Sequence, residues 1–333
     1  MDLATRAVRL KPLLAHPRAR ALLALAAMFV VGAIFNKDGA FFRWTTHRDM
    51  LREISVYGIL SCGMTLVIIA GGIDLAVSSV MALSAVAFAL FTMPLGWGAA
   101  LSILVVLAIG AASGLTSGAL IARFRIQPFI VTLAMMVFAR GLAKTIAGGK
   151  KITSSFMDEG GSMITAPHPP IFGVIDTRIL GDNVSIVTVV FLACVAVTAV
   201  ILARLRLGRY IYAVGGNAEA ARLSGVPVGR TLTLTYGLSG LFAAIAGICQ
   251  AAQETHGDPE TGMGYELDAI AMVVIGGTSL SGGRGGVSLT LIGALTIGTL
   301  RKILSINAFS TETRLMLTGA IIIGAVLFQR GRR

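Results

Sequence analysis

The chain has 333 residues, of which 55% are hydrophobic and only 13% are charged, and its mean hydropathy is +0.83. A charge content of about half that of an ordinary soluble domain argues against a soluble enzyme. It also argues against disorder, which requires few apolar residues and many charges. The net charge of +12 does not indicate nucleic-acid binding, because the basic residues fall at the edges of apolar runs. These values predict an integral membrane protein.

Apolar runs of membrane length recur along the chain and predict an all-α, polytopic membrane protein with about ten transmembrane helices in one domain, residues 1–333. The first span follows a basic tail, residues 1–20, which lacks the small-residue cleavage site of a signal peptide. The eighth is short and is followed by glycines, which predicts a broken or half-length element. The predicted spans are residues 21–35, 54–70, 75–93, 97–122, 126–147, 184–203, 231–252, 267–280, 287–300 and 313–329.

The basic residues between the spans predict which side of the membrane each loop faces. With both termini in the cytoplasm, the inner segments carry sixteen basic residues and the outer segments ten. A short internal similarity accompanies this arrangement, because residues 67–72 resemble residues 273–277. Both stretches end a span that runs from outside to inside. The similarity predicts two related halves in the same orientation, a pattern known from transporters.

Two outer loops and one helix face have a distinctive composition. The loop 148–183 is rich in Gly, Pro and Ser, and the loop 253–268 carries five acidic residues and no basic residue. Each loop is either an ordinary solvated segment or a docking surface for an external partner, and composition does not decide between them. Gly110, Gly114 and Gly118 lie on one face of the fourth span, which predicts close packing against another helix.

The sequence lacks the motifs of an ATPase, a protease or a metal site. The nearest approach to a Walker A motif has Lys144 at the first required glycine and Lys151 at the Ser/Thr position. All four histidines lie outside the predicted spans. Arg140 and Lys144 share one face near the outer end of the fifth span, where snorkelling to the lipid headgroups is a simpler account than ion coupling. We therefore expect no catalytic residue and no cofactor on this chain.

The longest inner loop, residues 204–230, contains a predicted short helix. Asn217 is a good N-cap, residues 218–223 are mostly helix formers, and a glycine two residues later ends the helix. Glu219 lies in the first turn and Arg222 near the end, as the helix dipole favours. An isolated helix of about two turns is unstable in water. It must therefore be held by the membrane surface or by another protein.

Four stretches of the sequence resemble the permease subunits of ribose-, xylose- and galactoside-type ATP-binding-cassette (ABC) transporters. The last of them, LDAIAMVVIGGTSLSGGRG, is long and specific, and the match extends in order over roughly residues 50–328. Ala218 stands where the family often has proline, and residues 76–79 replace its Ser-Val-Gly-Ser. The matching stretches are residues 71–75, residues 129–133 with Arg140 and Gly141, residues 212–226 and residues 267–285.

The resemblance implies a subunit of an importer in the bacterial inner membrane, which carries a monosaccharide or a related polyol. Two permease subunits, identical or different, would form the pathway, and a periplasmic sugar-binding protein would deliver the solute. A pair of cytoplasmic ATPases would bind ATP and Mg²⁺, and the loop helix would insert into them and transmit their closure. The residues that the resemblance implies in this coupling are Asn217, Glu219, Ala220, Arg222, Ser224 and Gly225.

The translocation pathway is expected near two glycine turns, Gly71–Asp74 and Gly276–Gly286. Glycines allow backbone bends and close approach there, and nearby hydroxyls could either bind a sugar or cap helix ends. An ion-coupled secondary transporter of small polar solutes, which works without ATP, is the alternative function, and an interaction-only membrane protein is a third. The candidate pathway residues are Gly71, Gly72, Asp74, Gly276, Gly277, Thr278 and Ser279.

Overall fold

The computed structural model describes residues 17–157, 163–165, 168–310, 312, 313, 316, 317, 319 and 320. This part of the chain is mostly helical and carries two small antiparallel hairpins, β1–β2 and β3–β4. The helices are α1 (Pro17–Ile34), α2 (Trp44–Ile69), α3 (Val77–Thr92), α4 (Ala99–Phe124), α5 (Pro128–Ile146), α6 (Pro170–Asp176), α7 (Ile186–Arg204), α8 (Arg206–Gly216), α9 (Ala218–Leu223), α10 (Val228–Glu254), α11 (Tyr265–Gly276) and α12 (Val287–Ile306). The strands are β1 (Ser155–Met157), β2 (Met163–Thr165), β3 (Arg178–Ile179) and β4 (Val184–Ser185).

Six helices in the described part of the chain are long and apolar enough to cross a membrane, namely α2, α4, α5, α7, α10 and α12. The third predicted span is the shorter helix α3, with 16 residues, and the eighth is α11, with 12. At about 1.5 Å per residue, α11 covers roughly 18 Å of a hydrocarbon layer about 30 Å thick. Most of the tenth predicted span, residues 313–329, and most of the basic tail, residues 1–20, lie outside the described residues.

Helix α10 packs against α4 along the predicted glycine stripe. A Cβ added at Gly114 would overlap the carbonyl oxygen of Tyr236, and one added at Gly118 would lie 2.6 Å from the Cα of Thr233. The stripe therefore lets two backbones meet with no side chain between them. Close backbone approach of this kind drives helix association in lipid, where burial of apolar side chains contributes little. The predicted packing role of these glycines is confirmed.

Helix α2 lies at the centre of the bundle, and 17 of its 26 residues are buried. It packs against α10, α12, α7 and α11. Its buried hydroxyls bond to neighbouring helices, since Thr65 Oγ1 lies 2.6 Å from Thr290 Oγ1 and Ser55 Oγ donates to Thr188 Oγ1 at 3.1 Å. Such hydrogen bonds satisfy polar groups that would otherwise be costly in an apolar interior.

The segment 255–264 folds back along α3 before α11 begins. Gly257 lies against Ala89, near the C-terminal end of α3, whereas Gly262 lies against the carbonyl of Ser78, near its start. These two positions on α3 are eleven residues apart, which corresponds to about 16 Å of return along the helix. Helix α11 therefore starts well inside the bundle, next to the N-terminal end of α3.

The predicted outer loop 148–183 is structured where it is described, and it is bound to the start of α2. Its short helix α6 and the hairpin β3–β4 are held there by ion pairs between arginine and aspartate side chains. The Nη2 atom of Arg178 lies 2.8 Å from Asp49, and Nη1 of Arg48 lies 2.8 Å from Asp182. Arg52 makes a further ion pair with Asp176.

Candidate functional site

The predicted helix of the inner loop is present as α9, Ala218–Leu223. The backbone of Asn217 is extended, and its Oδ1 accepts a hydrogen bond of 2.9 Å from the N–H of Ala220, as expected of an N-cap. The N–H of Ser224 donates to the carbonyl of Ala220 at 3.0 Å, and Gly225 follows with φ of +80°. Gly225 therefore adopts the left-handed conformation, which glycine allows without steric cost and which ends the helix.

Glu219 and Arg222 face the solvent as a bidentate ion pair. Nη2 of Arg222 lies 2.5 Å from Oε1 of Glu219, and Nε lies 3.1 Å from Oε2. The hydrogen bond from Arg222 holds the pKa of Glu219 below its ordinary value. Exposed pairs of this kind add little to stability. The pair instead fixes two opposite charges on the solvent-exposed face of α9.

Leu223 is a surface feature that sequence reasoning did not include among the site residues. Its side chain is 77% exposed, whereas Ala221 is the residue that α9 buries. Leu223 thus exposes a bulky apolar side chain next to the Glu219–Arg222 ion pair. No pattern in the sequence marks this leucine, because its exposure depends on how α9 packs.

Helix α8 was not predicted, although it precedes α9 directly. It runs from Arg206 to Gly216 and buries Gly208, Ile211 and Val214, which are spaced at three residues and share one face. Gly208 brings the helix against the C-terminal turn of α7, where an added Cβ would lie 2.7 Å from the Cα of Leu202. The inner loop is therefore a pair of helices, α8 and α9, that is packed onto the bundle through α8.

The C-terminal end of α8 touches both glycine turns. A Cβ added at Gly215 would overlap the carbonyl oxygen of Ile69 and lie 2.7 Å from the nitrogen of Gly283. A Cβ added at Gly282 would lie 2.6 Å from the carbonyl oxygen of Gly215 and 2.9 Å from the Cα of Gly71. We refer to Gly71, Gly215, Gly282 and Gly283 as the glycine junction. It joins the end of α2, the end of α8 and the turn after α11 through backbone atoms alone.

Two hydrogen bonds reinforce the glycine junction. The N–H of Gly283 donates to the carbonyl of Ile69 at 2.9 Å, which links the turn after α11 to the last turn of α2. The hydroxyl of Tyr212, on α8, donates to the carbonyl of Gly285 at 2.8 Å. A displacement of α8 would therefore be transmitted directly to both turns.

The first group of candidate pathway residues lies between α2 and α3. A Cβ added at Gly72 would overlap the buried hydroxyl of Tyr236, so only glycine fits there. Asp74 is 4% exposed, and its two carboxylate oxygens accept hydrogen bonds from Ser239 Oγ at 2.7 Å and from the N–H of Ala76 at 3.0 Å. The segment is thus fixed to α10 by specific polar contacts.

The second group lies at the end of α11. Gly276 packs against the backbone of Leu289 on α12, and Gly277 has φ of +107° and ends the helix. The fold places both residues in helix packing and helix termination. The internal similarity seen in the sequence thus corresponds to two turns that meet at the glycine junction.

The hydroxyls of Thr278 and Ser279 organise the turn that follows. Oγ1 of Thr278 accepts a hydrogen bond of 3.4 Å from the N–H of Gly286, the residue before α12, and Oγ of Ser279 accepts one of 3.3 Å from the N–H of Ser281. Of the two roles left open for these hydroxyls, the geometry therefore favours helix and turn capping.

Three of the five acidic residues of the outer loop are paired with basic residues from other segments. Asp258, Glu260 and Asp268 each form an ion pair, and these lie 3.1, 2.7 and 2.6 Å from their partners. These pairs tie the loop to the folded body of the protein. The cations are Lys151, Lys144 and Arg301, in the same order.

Arg140 and Lys144 hold this loop instead of reaching towards lipid headgroups. Nη1 of Arg140 donates to the carbonyls of Pro259 and Thr261 at 2.7 and 2.8 Å. Lys144 pairs with Glu260. Both side chains therefore have protein partners in the fold.

Comparison with known proteins adds an independent observation. Residues 47–326 match the family described as "Branched-chain amino acid transport system / permease component". This range includes most of α2, all of α3 to α12, both glycine turns and the α8–α9 pair. No solved structure was found to match the chain.

Three curated relatives are permease proteins named for sugars. The ribose import permease protein RbsC of Escherichia coli (strain K12) is 38% identical over 306 residues, which cover 91% of this chain and 91% of the relative. The fructose import permease protein FruF of Bifidobacterium longum is 36% identical over 313 residues, with coverage of 90% and 85%. The L-arabinose transport system permease protein AraH of E. coli (strain K12) is 35% identical over 320 residues, with coverage of 93% and 89%.

Proposed function

The chain belongs to this family of transport permease components, and on that premise we propose that it is the membrane subunit of an ABC importer for a monosaccharide or a related polyol. The subunit works in the bacterial inner membrane with a second permease subunit, identical or different. A periplasmic sugar-binding protein delivers the solute, and a cytoplasmic ATPase pair binds ATP and Mg²⁺. The solute pathway passes through the permease subunits, and this chain itself carries out no hydrolysis.

The observation that carries the proposal is the identity of 38% with a ribose import permease over 91% of both chains. The similarity to a fructose and an L-arabinose permease supports a sugar substrate but does not single out ribose. The sequence lacks a Walker A motif, so a partner must supply the energy of ATP hydrolysis.

Helix α9 is proposed to be the element that engages the ATPase. It is exposed, and it presents Leu223 next to the Glu219–Arg222 pair. Its ends are fixed by Asn217 and Gly225, so a partner can move it as one rigid unit. An apolar anchor with charged groups at its rim is the usual composition of a protein contact site.

We propose that the displacement caused by the ATPase is transmitted from α9 through α8 to the glycine junction. Closure of the ATPase pair displaces α9 and α8 together, and Gly215 then pushes on Ile69 and Gly283, with which it is in backbone contact. Because both turns are bonded to each other, α2 and α11 respond together. This response is the proposed switch between outward-facing and inward-facing states.

The proposal is tested by uptake into proteoliposomes that contain this chain, its ATPase and its binding protein. Labelled D-ribose, D-fructose and L-arabinose are the probes. We expect uptake of at least one sugar that requires ATP and stops when the ATPase is catalytically inactive. Uptake that follows an imposed proton or sodium gradient without ATP would instead support the secondary transporter.

The role of α9 is tested by co-purification with the ATPase. Leu223→Asp removes the apolar anchor and Glu219→Lys reverses one charge of the ion pair, so both should reduce ATPase recovery while leaving the permease in the membrane. Leu180→Asp, at a leucine that is 74% exposed in an outer loop, is the matched control. If all three variants recover the same amount of ATPase, α9 is not the coupling element.

A further inference from the structure

A cavity of about 410 Å³ lies between α3, α5 and the start of α11. Its size falls within the range of roughly 300–1,000 Å³ that is typical of small-molecule sites. None of the seven candidate pathway residues lines it. Its polar and charged lining residues are Ser78, Ser79, Arg140, Lys144 and Glu266, and the methionines Met136 and Met263 contribute apolar surface.

The N-terminal ends of two short helices meet at this cavity. Helix α3 begins at Val77 and helix α11 at Tyr265, and neither has a side-chain cap. At α11 the N–H groups of Tyr265 and Leu267 donate to the carbonyls of Gly262 and Gly264 at 3.1 and 3.0 Å, so the unpaired N–H groups that a first turn leaves are expected at α3. Discontinuous helices whose N-termini point at the solute are a recurrent way to build binding sites within transporters.

Unpartnered polar side chains point to a ligand at the same place. Ser78 and Ser79 are only 2% and 1% exposed, they line the cavity, and neither hydroxyl has a hydrogen-bond partner among the residues that the structure describes. The Oε2 atom of Glu266, another lining residue, is buried without a partner in the same set. Buried polar atoms are rarely left unsatisfied, because each costs about 1–3 kcal/mol.

The charges around the cavity favour a neutral ligand. Arg140 and Lys144 contribute two positive charges, and Glu266 together with Glu260, the ion-pair partner of Lys144, contributes two negative charges. A solute with its own charge would therefore meet no excess of the opposite sign. Hydroxyl groups, which both donate and accept hydrogen bonds, satisfy the serines, the carboxylate and the helix N–H groups at once.

We propose that this cavity is a monosaccharide-binding site within the permease, where sugar hydroxyls bond to Ser78, Ser79 and Glu266 at the N-terminal ends of α3 and α11. The inference rests on the proposed function, since it assigns the place where the transported sugar rests between the binding protein and the cytoplasm. Arg140 keeps the site in shape because it fixes the outer loop that leads into α11.

The test is protection of an engineered cysteine by sugar. Val137→Cys and Met263→Cys, at lining residues that are 65% and 67% exposed, each place an accessible thiol at the rim of the cavity. The native Cys62, Cys194 and Cys249 are buried, so they add little background. Labelling by a small methanethiosulfonate reagent is measured in the assembled transporter with saturating D-ribose, D-fructose or L-arabinose.

We expect the sugar that the transporter imports to slow labelling of both cysteines at least about fivefold, while an added Leu180→Cys, in an outer loop, is labelled at an unchanged rate. Glu266→Gln should raise the sugar concentration needed for half-maximal protection by about fivefold, as expected for a lost hydrogen bond. If an imported sugar protects neither cysteine, or if only a sugar acid does, the inference is wrong and the proposed function stands. If no sugar is imported with ATP, the proposed function fails, and this inference fails with it.

Discussion

Gly215→Ala should disrupt the glycine junction, whereas Gly216→Ala should not. The methyl group added at position 215 would overlap the carbonyl oxygen of Ile69 and crowd the nitrogen of Gly283. Both contacts are with backbone, so no change of rotamer relieves them. At position 216, by contrast, an added Cβ meets nothing within 4 Å. Both glycines lie at the end of α8, and neither has a positive φ.

The expected magnitude follows from three contributions. Overpacking against rigid backbone costs about 1–3 kcal/mol. Loss of the Gly283–Ile69 hydrogen bond of 2.9 Å costs about 1 kcal/mol more. Replacing glycine by alanine in a helix contributes up to about 1 kcal/mol of stabilisation, which both variants share. The free energy of unfolding should therefore be lower in Gly215→Ala than in Gly216→Ala by about 2–4 kcal/mol.

Two assays check this prediction. Unfolding in mixed detergent micelles gives the stability difference, and the ratio of sugar imported to ATP hydrolysed gives the coupling. Gly215→Ala should lower both, and Gly216→Ala should match the unsubstituted protein. Equal stability and equal coupling in the two variants would refute the backbone contact at the glycine junction.

Three further substitutions test contacts elsewhere in the bundle. Asp268→Asn removes the buried carboxylate that pairs with the partly exposed guanidinium of Arg301, and it should destabilise the protein by about 1.5–3 kcal/mol, as measured by unfolding in detergent; an effect below about 0.5 kcal/mol would contradict the pair. Gly114→Ala should separate α4 from α10 and lower the melting temperature, whereas Gly141→Ala, which meets nothing within 4 Å, should not. Arg140→Leu should release the outer loop that its guanidinium holds, so external protease should cut that loop faster.

Local signals made α9 predictable from sequence. An Asn N-cap, helix-forming residues and a terminating glycine all act within one turn, and the structure has the helix at those residues. The glycine stripe on α4 was predictable for a similar reason, because three positions at helical spacing define a face before its partner is known. Such features depend only on residues that are close together in the chain.

Features that depend on distant residues were not predictable in the same way. The acidic outer loop looked unpaired because its cations come from positions 144, 151 and 301. The return of residues 255–264 along α3 depends on contacts of Gly257 and Gly262 with Ala89 and Ser78, which lie on another helix. For the same reason, the glycine turn before Asp74 made it a candidate pathway residue, but the sequence did not reveal its hydrogen bond with Ser239.

Leu223 also shows how composition can hide a site. One leucine among alanines and charged residues has no pattern to mark it, and only the fold reveals that it is 77% exposed on a capped helix. The same holds for Ser78 and Ser79. They lie in an apolar run, and they become candidate sugar-binding residues only when α11 is placed beside them. Exposure and proximity, not residue type, distinguish these positions.

Photocrosslinking from α9 tests the central claim most directly. A benzophenone amino acid at position 223, in membranes that contain the whole transporter, reports which protein touches this helix, and the same group at Met263, on the outer side, is the control. We expect position 223 to form an adduct of the permease with the ATPase, and the yield of this adduct should change when ATP is added. Position 263 should form no adduct with the ATPase. An adduct with lipid alone at position 223, while sugar uptake continues, would contradict it.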